Sequence, residues 1–530
     1  MKKVLLVVLV LSLVAGLFAG FAGCAKKNDE GTITIRNLYF NDWNGDDAYT
    51  AALEEQFGIK IKTSTYSWAD WDQQVSSAIN GGNVTDVFQA DIDSYNFANS
   101  YAFWADDRDI KPLPSDLSPW PNLKAMIEGI SDVDELKYKA KGDKEKRLWG
   151  IPVAKNIQGG EADFTPFTYV YRRDWAKQYG VYKENDIYTW EEFNTLLQTF
   201  YNQKCRSGDF YALVDVEWGF PSIVNFYKTA PHCFAIGSNG KIVSNYASDE
   251  YVAGLTQAKN FVTSKIYGYE QYSSNEGDAN KKYYGGRVGV FYENLSLSNY
   301  TTLRNKIKEA NKNLSAEALD DMTAIMKVKG PDGKYALEGQ LDWFSMTFFS
   351  SKISDEKMKK ILDIMDYLLS EEGTMLAKYG FENYDYTVEN GKVTLTEAGW
   401  EKDDSGRYID KYNGAKYLRY MCTLGYDMTA TDPMTDQKAY TILNDWTTFM
   451  KDQKAAGNLR VLNEDPQVKW MNDKSVVKTK AEKSGKLLED ANAAVMQYCY
   501  GNLSLDKYKS AVNDSTWQKV LKEINDALGK

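Results

Sequence analysis

Histidine is almost absent from this chain, which has a single one, His232, among 530 residues. A Ser-His-Asp triad, a Cys-His pair or a multi-histidine metal site would each have to use that residue. It lies in a turn-like stretch, residues 229–233, without a nucleophile signature, so we expect a structural role. Most enzyme classes are thereby disfavoured. Glycoside hydrolysis is not, because two carboxylates suffice for it.

Cysteine is scarce and widely spaced. Besides Cys24, the chain has Cys205, Cys233, Cys422 and Cys499, and no two of them form a Cys-x-x-Cys pair. A zinc site or a thioredoxin-type motif is therefore not expected. One or two disulfides and four buried free thiols are both compatible with the spacing.

A positive net charge and a second long apolar run are also lacking. The formal charge is −11, and it becomes −13 when Lys2 and Lys3 are removed. We therefore expect no binding of nucleic acid or of anionic lipid surfaces by charge. Beyond the N-terminal segment no apolar run reaches membrane-spanning length, which predicts a soluble ectodomain.

The N-terminal segment has the parts of an export signal. Lys2 and Lys3 precede an apolar run that ends in Phe21-Ala22-Gly23-Cys24. A basic start, an apolar middle and small residues before the cleavage site are typical of a signal peptide, and the cysteine is typical of a bacterial lipoprotein. Phe21 departs from the leucine usual there. We predict a signal peptide at 1–23, lipidation at Cys24 and a tether at 24–31; an uncleaved membrane anchor is the alternative.

From residue 32 onward, strand and helix patterns alternate at short spacing. The predicted elements are a strand at 32–40, a helix at 47–57, a strand at 59–66, a helix at 68–79 and a strand at 86–88. Gly58 is placed to end the first helix. This order predicts a parallel α/β organisation with right-handed crossovers.

Two helices further on have clear N-terminal signals. Thr189-Trp190-Glu191-Glu192 is a capping box, and Ser354 precedes an acidic first turn. The helix after Ser354 and the last helix each carry an apolar stripe, which predicts a face in the core. The stripes are Met358, Ile361, Leu362, Met365 and Leu368, and Trp517, Val520, Leu521, Ile524 and Leu528.

Short motifs follow one another over nearly the whole chain after Cys24. They are Ile79-Asn80-Gly81-Gly82-Asn83-Val84-Thr85-Asp86-Val87, Trp149-Gly150-Ile151-Pro152, Tyr169-Val170-Tyr171-Arg172-Arg173-Asp174-Trp175, Thr189-Trp190-Glu191-Glu192-Phe193, Gly286-Arg287-Val288-Gly289-Val290 and Ser370-Glu371-Glu372-Gly373. In this order the chain resembles the extracellular solute-binding proteins of carbohydrate ABC transporters. It is similar to the maltose-binding-protein-like group, in its long, lipid-anchored Gram-positive form. Thr85 replaces the family's usual proline.

The resemblance implies an α/β fold of two lobes, each a sheet flanked by helices, which close over a ligand in the cleft between them. It implies a first lobe at 32–157 and 328–372 and a second lobe at 158–327 and 373–530. The chain would cross between the lobes near Ile151–Tyr169, return near Met326–Lys334 and cross again near Ser370.

Ligand-binding residues are expected beyond the carboxyl ends of the strands, where open α/β sheets bind their ligands. Loops at these ends combine acids with aromatic residues, in a chain that has 14 Trp and 37 Tyr. Carboxylates accept hydrogen bonds from sugar hydroxyls, and aromatic faces cover the apolar side of a sugar. The predicted ligand-binding residues are Asp42, Trp43, Trp68, Asp91, Trp218, Tyr292, Glu293 and Trp343. Trp71 is predicted to pack within its helix, and Asp86 to cap a helix or turn.

No catalytic residues, cofactor or metal ligands are predicted. The sequence has no Asp-x-Asp-x-Asp-Gly loop, although a structural calcium ion in irregular loops stays open. The expected partners are an oligosaccharide, the permease subunits of an ABC transporter and, through Cys24, the outer face of the cell membrane; no nucleic acid is expected, and the chain should be a monomer.

Three alternatives stay open. A surface glycoside hydrolase would need a pair of carboxylates, and no acid pair here fits a recognisable enzyme motif. A peptide- or metabolite-binding protein could use the same scaffold. The charge of the sugar is open too, because the net negative charge favours a neutral sugar, whereas Arg36, Arg172 or Arg173 could serve a uronic acid.

Overall fold

The computed structural model describes residues 30–40, 43, 45–67, 70–91, 100–131, 133–155, 164–216, 219–230, 234–268, 278–339, 343–402, 408–409, 411, 413–424, 431–462 and 485–530. Their strands are β1 (Thr32–Asn37), β2 (Lys60–Thr65), β3 (Val87–Ala90), β4 (Gly150–Lys155), β5 (Phe167–Tyr171), β6 (Ile187–Tyr188), β7 (Tyr211–Asp215), β8 (Phe234–Ile236), β9 (Ile242–Ser244), β10 (Val288–Asn294), β11 (Ala324–Ile325), β12 (Lys327–Val328), β13 (Tyr335–Glu338), β14 (Trp343–Phe349), β15 (Tyr386–Glu389), β16 (Lys392–Leu395), β17 (Thr423–Leu424) and β18 (Leu459–Leu462).

The α-helices in the same residues cover the sheets. They are α1 (Ala48–Phe57), α2 (Trp71–Asn80), α3 (Ser100–Asp106), α4 (Pro121–Glu128), α5 (Arg173–Gln178), α6 (Trp190–Lys204), α7 (Asp249–Thr263), α8 (Asp278–Tyr284), α9 (Leu297–Ala310), α10 (Ala316–Met322), α11 (Asp355–Leu369), α12 (Glu371–Tyr379), α13 (Gly414–Arg419), α14 (Gln437–Ala455), α15 (Gly485–Cys499), α16 (Leu505–Ala511) and α17 (Ser515–Ala527). Short 3-10 turns at Leu38–Phe40 and Ser222–Phe226 follow β1 and β7.

The first sheet has six strands in the order β17-β4-β14-β3-β1-β2. β1 is parallel to β2 and to β3, as the alternation of strands and helices predicts. β14 is antiparallel to both β3 and β4, between which it lies. In β1 alternate residues point into the core, with Ile33 and Ile35 buried, because the side chains of a strand alternate between its faces.

The second sheet has four strands in the order β11-β5-β10-β7. β10 is antiparallel to β5 and parallel to β7. Beside it, β12 pairs with β6, and β13 pairs with β18 from near the end of the chain. The described chain therefore forms a mixed α/β fold around two separate sheets, in agreement with the predicted fold class.

Local sequence signals produce most of the predicted helix ends. The Thr189 side chain accepts a hydrogen bond from the Glu192 backbone, and the Glu192 side chain accepts one in return, which is the predicted capping box. Ser354 caps α11, and Gly58 ends α1 with a positive φ of 61°. The apolar stripe of α11 is buried, as is that of α17 apart from the partly buried Leu528. Trp71 is buried as predicted, with its indole N–H donating to the Gln89 carbonyl at 3.0 Å.

The hydrophobic clusters place the chain crossings differently from the expected boundaries. Tyr335 and Leu337 of β13 share a cluster with Trp446, on one face of the second sheet. The chain thus rejoins the first sheet at Trp343, later than the expected return near 326–334. Leu376, Ala415 and Cys422 pack in the cluster of the first sheet, whereas the expected second lobe began at 373. The points at which the chain passes between the sheets are set by strand pairing between residues that are distant in sequence.

The described cysteines are free thiols. Cys205, Cys422 and Cys499 are buried, and burial raises the pKa of each to about 12. They are therefore protonated and unreactive at neutral pH. Cys233 and His232 lie outside the described residues.

One smaller expectation needs correction. Asp86 is no cap: its Oδ2 accepts from the Thr34 backbone at 2.8 Å and lies 3.0 Å from Lys357 Nζ. It joins β1, β3 and α11, so its role is structural.

We expect Asp86→Ala to lower the free energy of unfolding by about 3 kcal/mol, because it leaves the Lys357 ammonium buried without its carboxylate. Asp526→Ala, which breaks the exposed pair with Lys522, should change it by less than about 0.5 kcal/mol. Urea denaturation of both variants measures the difference, and equal effects would contradict the structural role of Asp86.

Candidate functional site

One short link of the chain brings an edge of the first sheet close to an edge of the second sheet. Gly339 is fixed beside the second sheet, since its N–H donates to the Leu462 carbonyl at 2.9 Å and it bridges to Phe164. Trp343 already belongs to β14 of the first sheet, and three residues separate the two. A chain of that length spans at most roughly 14 Å. The sheets therefore approach each other closely at this crossing.

The edges that meet there are the carboxyl ends of strands. Because β14 is antiparallel to β3, its first residue Trp343 lies at the carboxyl end of β3. Because β5 is antiparallel to β10, Phe167 at its start pairs with Asn294 at the end of β10. Ligands of α/β sheets lie beyond such ends, so the candidate site is the space between these two edges.

The edge of the first sheet carries a cluster of aromatic rings. Tyr39 follows β1, and its ring centroid lies 5.2 Å from that of Tyr420. Tyr420 in turn lies 6.1 Å from Tyr417, whose ring stacks on Trp43 at 5.5 Å. All three tyrosines are partly exposed. Partly exposed rings of this kind can cover the apolar face of a sugar.

These three tyrosines are not among the predicted ligand-binding residues. Tyr39 lies only two residues after β1, so the rule of strand ends was able to select it. Tyr417 and Tyr420 are one helical turn apart at the end of α13, and nothing in the local sequence places that helix beside β1. Only the tertiary structure brings them to Tyr39.

Asp91 follows β3 at the same edge and is partly exposed. Burial raises the pKa of Tyr39, and the nearby Tyr420 and the Asp91 carboxylate raise it further. Tyr39 therefore stays a neutral phenol that can donate a hydrogen bond, beside a carboxylate that can only accept. This combination suits a ligand rich in hydroxyl groups.

The predicted tryptophans of this edge show little surface. Trp43 is 5% exposed, and its indole N–H donates to Asp47 at 2.6 Å. Trp343 is 1% exposed and pairs with Ala154 across β14 and β4. In this conformation both are core residues, so their contact with a ligand stays a prediction. Asp42, Trp68 and Trp218 lie outside the described residues.

At the edge of the second sheet, Tyr292 and Glu293 lie inside β10, which extends to Asn294, and not in a loop after it. The Tyr292 hydroxyl accepts from the Asn225 amide at 2.9 Å, and its ring lies 5.1 Å from that of Tyr169. Gly219 lies against this ring, because a Cβ there would be 3.1 Å from a ring carbon. Tyr292 is therefore packed against both residues and is 5% exposed. Glu293 is nearly buried too, and the ligand contacts of Tyr292 and Glu293 stay predictions.

A buried network of hydrogen bonds supports the strand that carries Tyr292. The Asp215 carboxylate, at the end of β7, accepts from the Ser222 backbone at 2.9 Å and from its hydroxyl at 2.7 Å. The Ser222 hydroxyl also lies 2.7 Å from that of Tyr169. Burial raises the pKa of Asp215 to about 7, although the hydrogen bonds from Ser222 and Tyr267 lower it. The group therefore titrates near neutral pH.

Between this network and β13 lies a small cavity of ≈ 20 Å³, about the space of one water molecule. Its polar lining includes Ser222, Asn225 and Tyr292, and its apolar lining includes Phe226 and Leu337. A cavity of this size cannot hold a sugar. The polar side chains that line it belong to the same network and support the adjoining edge of the sheet.

Within the described ranges, no group of three or more histidine, cysteine, aspartate or glutamate side chains is placed to hold a metal ion. In those ranges, too, no helix has both the length and the apolar character that a bilayer crossing requires.

We expect the contribution of Asp215 to the stability of the protein to fall as pH rises from about 4 to about 7. The folded state holds a proton on Asp215 up to a pKa of about 7, and the unfolded state loses it near 3.9. In that window the folded state binds the extra proton, so the free energy of unfolding decreases with pH. Asp215→Asn should remove this part of the slope in urea denaturation at pH 4.5 and 7.5. The exposed Asp452→Asn should retain it, and an unchanged slope in Asp215→Asn would contradict the assignment.

The family model described as bacterial extracellular solute-binding protein matches residues 48–384. No curated protein matches the chain.

Solved structures share its two-lobed fold. The alginate-binding protein AlgQ2 has a TM-score of 0.65 at 13% identity, covering 95% of this chain and 99% of its own. An HMO-binding, ABC-transporter-associated solute-binding protein from Bifidobacterium longum infantis has a TM-score of 0.63 at 14% identity, covering 94% and 99%. FusA of S. pneumoniae, an ABC-transporter substrate-binding protein in complex with kestose, has a TM-score of 0.58 at 15% identity, covering 94% and 96%. Since the family model covers more than half of the chain, the chain belongs to the bacterial extracellular solute-binding proteins.

Proposed function

We propose that the chain captures an oligosaccharide in the cleft between its two sheets and delivers it to the permease of an ABC transporter. The observation that carries the proposal is the pair of adjoining edges, with partly exposed rings and an acid on one and, on the other, the partly exposed Asn294 beside the buried Tyr292 and Glu293. Three proteins of the same fold support it, since they are described as binding alginate, HMO and kestose.

Each edge supplies a different part of the recognition. Tyr39 and Tyr420 offer ring surface to the apolar side of a sugar, and Asp91 accepts hydrogen bonds from its hydroxyls. On the opposite edge Asn294 and Glu293 lie at the end of β10. A ligand that contacts both edges at once favours the closed arrangement of the lobes, because only there are all contacts made.

Membership in a family of solute-binding proteins confirms the prediction of a binding protein, not an enzyme. It removes the support for a surface glycoside hydrolase. Peptide binding on the same scaffold stays an alternative, which the aromatic and acidic edge of the first sheet disfavours.

We also propose that Cys24 anchors the protein by a lipid. Residues 1–29 lie outside the described residues, so the support is the sequence Phe21-Ala22-Gly23-Cys24 after an apolar run. Anchoring would keep the binding protein at a high effective concentration near its permease.

We screen a panel of oligosaccharides against the protein without its N-terminal segment 1–29. We expect at least one of them to raise the melting temperature, because a ligand that binds the folded state stabilises it. For a saccharide that binds, Tyr420→Ala and Asp91→Asn should each weaken affinity about 10-fold or more in calorimetry, since each removes a contact to the ligand. Tyr384→Ala is the matched control, because Tyr384 is 60% exposed in the turn before β15, outside the site. Equal affinities of Tyr420→Ala and Tyr384→Ala would contradict the site, and a shift with peptides alone would contradict the function.

Cys24→Ser should carry no lipid, because serine offers no thiol to which the lipid can be attached. Metabolic labelling with a fatty acid should mark the wild type and not the variant. Cys205→Ser, which changes a buried thiol, should keep the label. Labelling of Cys24→Ser would contradict the anchor.

A further inference from the structure

A row of three polar side chains lies in the core of the first sheet, close to the carboxyl ends of β1 and β3. Asn37 ends β1, Gln89 lies in β3 and Thr347 in β14, and they are 0%, 1% and 0% exposed. Thr347 pairs with Gln89. Arg36 pairs with Phe88, so the next step of that register places Asn37 beside Gln89. Side chains of paired residues lie on the same face of a sheet, so the three form one row across three strands.

Each side chain of the row binds the main chain of a segment that belongs to the aromatic edge of the site. The hydrogen bonds run from the Tyr39 N–H to Asn37 Oδ1 at 2.8 Å, from Gln89 Nε2 to the Tyr420 carbonyl at 3.4 Å and from the Thr347 hydroxyl to the Met421 carbonyl at 2.7 Å. Tyr39 and Tyr420 are the residues whose ring centroids lie 5.2 Å apart. The row therefore connects both rings to the same part of the sheet.

The stability of the sheet alone does not explain the row. In the described part of the chain, Asn37 Nδ2 and Gln89 Oε1 are buried without a hydrogen-bond partner. A buried polar atom without a partner costs free energy, and an apolar side chain of similar size avoids that cost. The two amides are better explained by what they hold, which is the main chain at Tyr39 and at Tyr420.

We propose that Asn37, Gln89 and Thr347 are positioning residues of the ligand site, which set the distance and orientation between the rings of Tyr39 and Tyr420. The inference rests on the function proposed above, in which these two rings cover the apolar side of a sugar. The three residues are buried, so they act through the rings and not by contact with the ligand. Rings that are ordered before a ligand arrives lose less entropy on binding, so a loosened pair should bind the sugar more weakly.

The first test replaces the hydrogen-bonding groups and keeps the size of the side chains. Gln89→Met and Thr347→Val should each weaken binding about 5-fold, because each removes one hydrogen bond to the segment of Tyr420. Titration calorimetry measures this with the oligosaccharide that raises the melting temperature most in the panel. Thr347→Ser, which retains the hydroxyl, should bind like the wild type.

Thr323→Val is the matched control. Thr323 is 0% exposed, and its hydroxyl also donates to a main-chain carbonyl, that of Leu319, at 2.8 Å. It precedes β11, where Ala324 pairs with Tyr171 at the end of β5 that lies away from the site. This variant should lose stability in urea denaturation and keep its affinity, which separates positioning from a general loss of stability.

Two further measurements show whether Thr347 acts through Tyr420. In a protein that already carries Tyr420→Ala, adding Thr347→Val should weaken binding no further, because residues that act through one contact are not additive. Without any saccharide, Thr347→Val should exchange the amide hydrogens of residues 414–422 faster than the wild type in mass spectrometry, and Thr323→Val should not.

Three results would overturn the inference. The first is wild-type affinity in both Gln89→Met and Thr347→Val. The second is a further loss of about 5-fold when Thr347→Val is added to Tyr420→Ala, which would show that the two residues act independently. The third is unchanged hydrogen exchange of residues 414–422 in Thr347→Val. Failure of every saccharide to bind the wild type would instead overturn the proposed function, and this inference with it.

Discussion

The short link between Gly339 and Trp343 is the constraint on which the arrangement of the candidate site depends. Three residues cannot reach far, so the end of the second sheet's segment and the start of β14 must lie close together. Because β14 is antiparallel to β3, this fixes the carboxyl end of β3 next to the second sheet. The site is therefore a consequence of strand direction together with link length, and it needs no special loop to form.

Short-range signals made much of the fold predictable. The first strands, the capping box at Thr189, the cap at Ser354 and the stop at Gly58 all depend on residues within a few positions of one another. The crossing points were harder to predict, because β13 pairs with β18, more than a hundred residues later, and no local pattern indicates that pairing. The same reason hid Tyr417 and Tyr420, whose place beside Tyr39 depends on the packing of α13.

The two edges of the site are built on different principles. The first carries partly exposed rings and an acid at its surface, where a ligand can reach them. The second holds Tyr292 between Tyr169 and Gly219 and supports it with the network of Asp215 and Ser222. Fixed groups on one side limit the entropy lost on binding, since they are already ordered before a ligand arrives. Rings that remain partly exposed on the other side leave room for sugars of different shape.

The position of β14 also sets the order in which the chain can fold. It lies between β3 and β4, yet it follows them in the sequence only after residues 164–339 of the second lobe. Until it is synthesised, β3 lacks a neighbour on one side, and β4 lacks both, since β17 comes later still; their hydrogen-bonding groups stay unpaired. Contacts so distant in sequence make folding slow. The first lobe, whose strands leave the ribosome earliest, cannot complete its sheet until most of the second has been made.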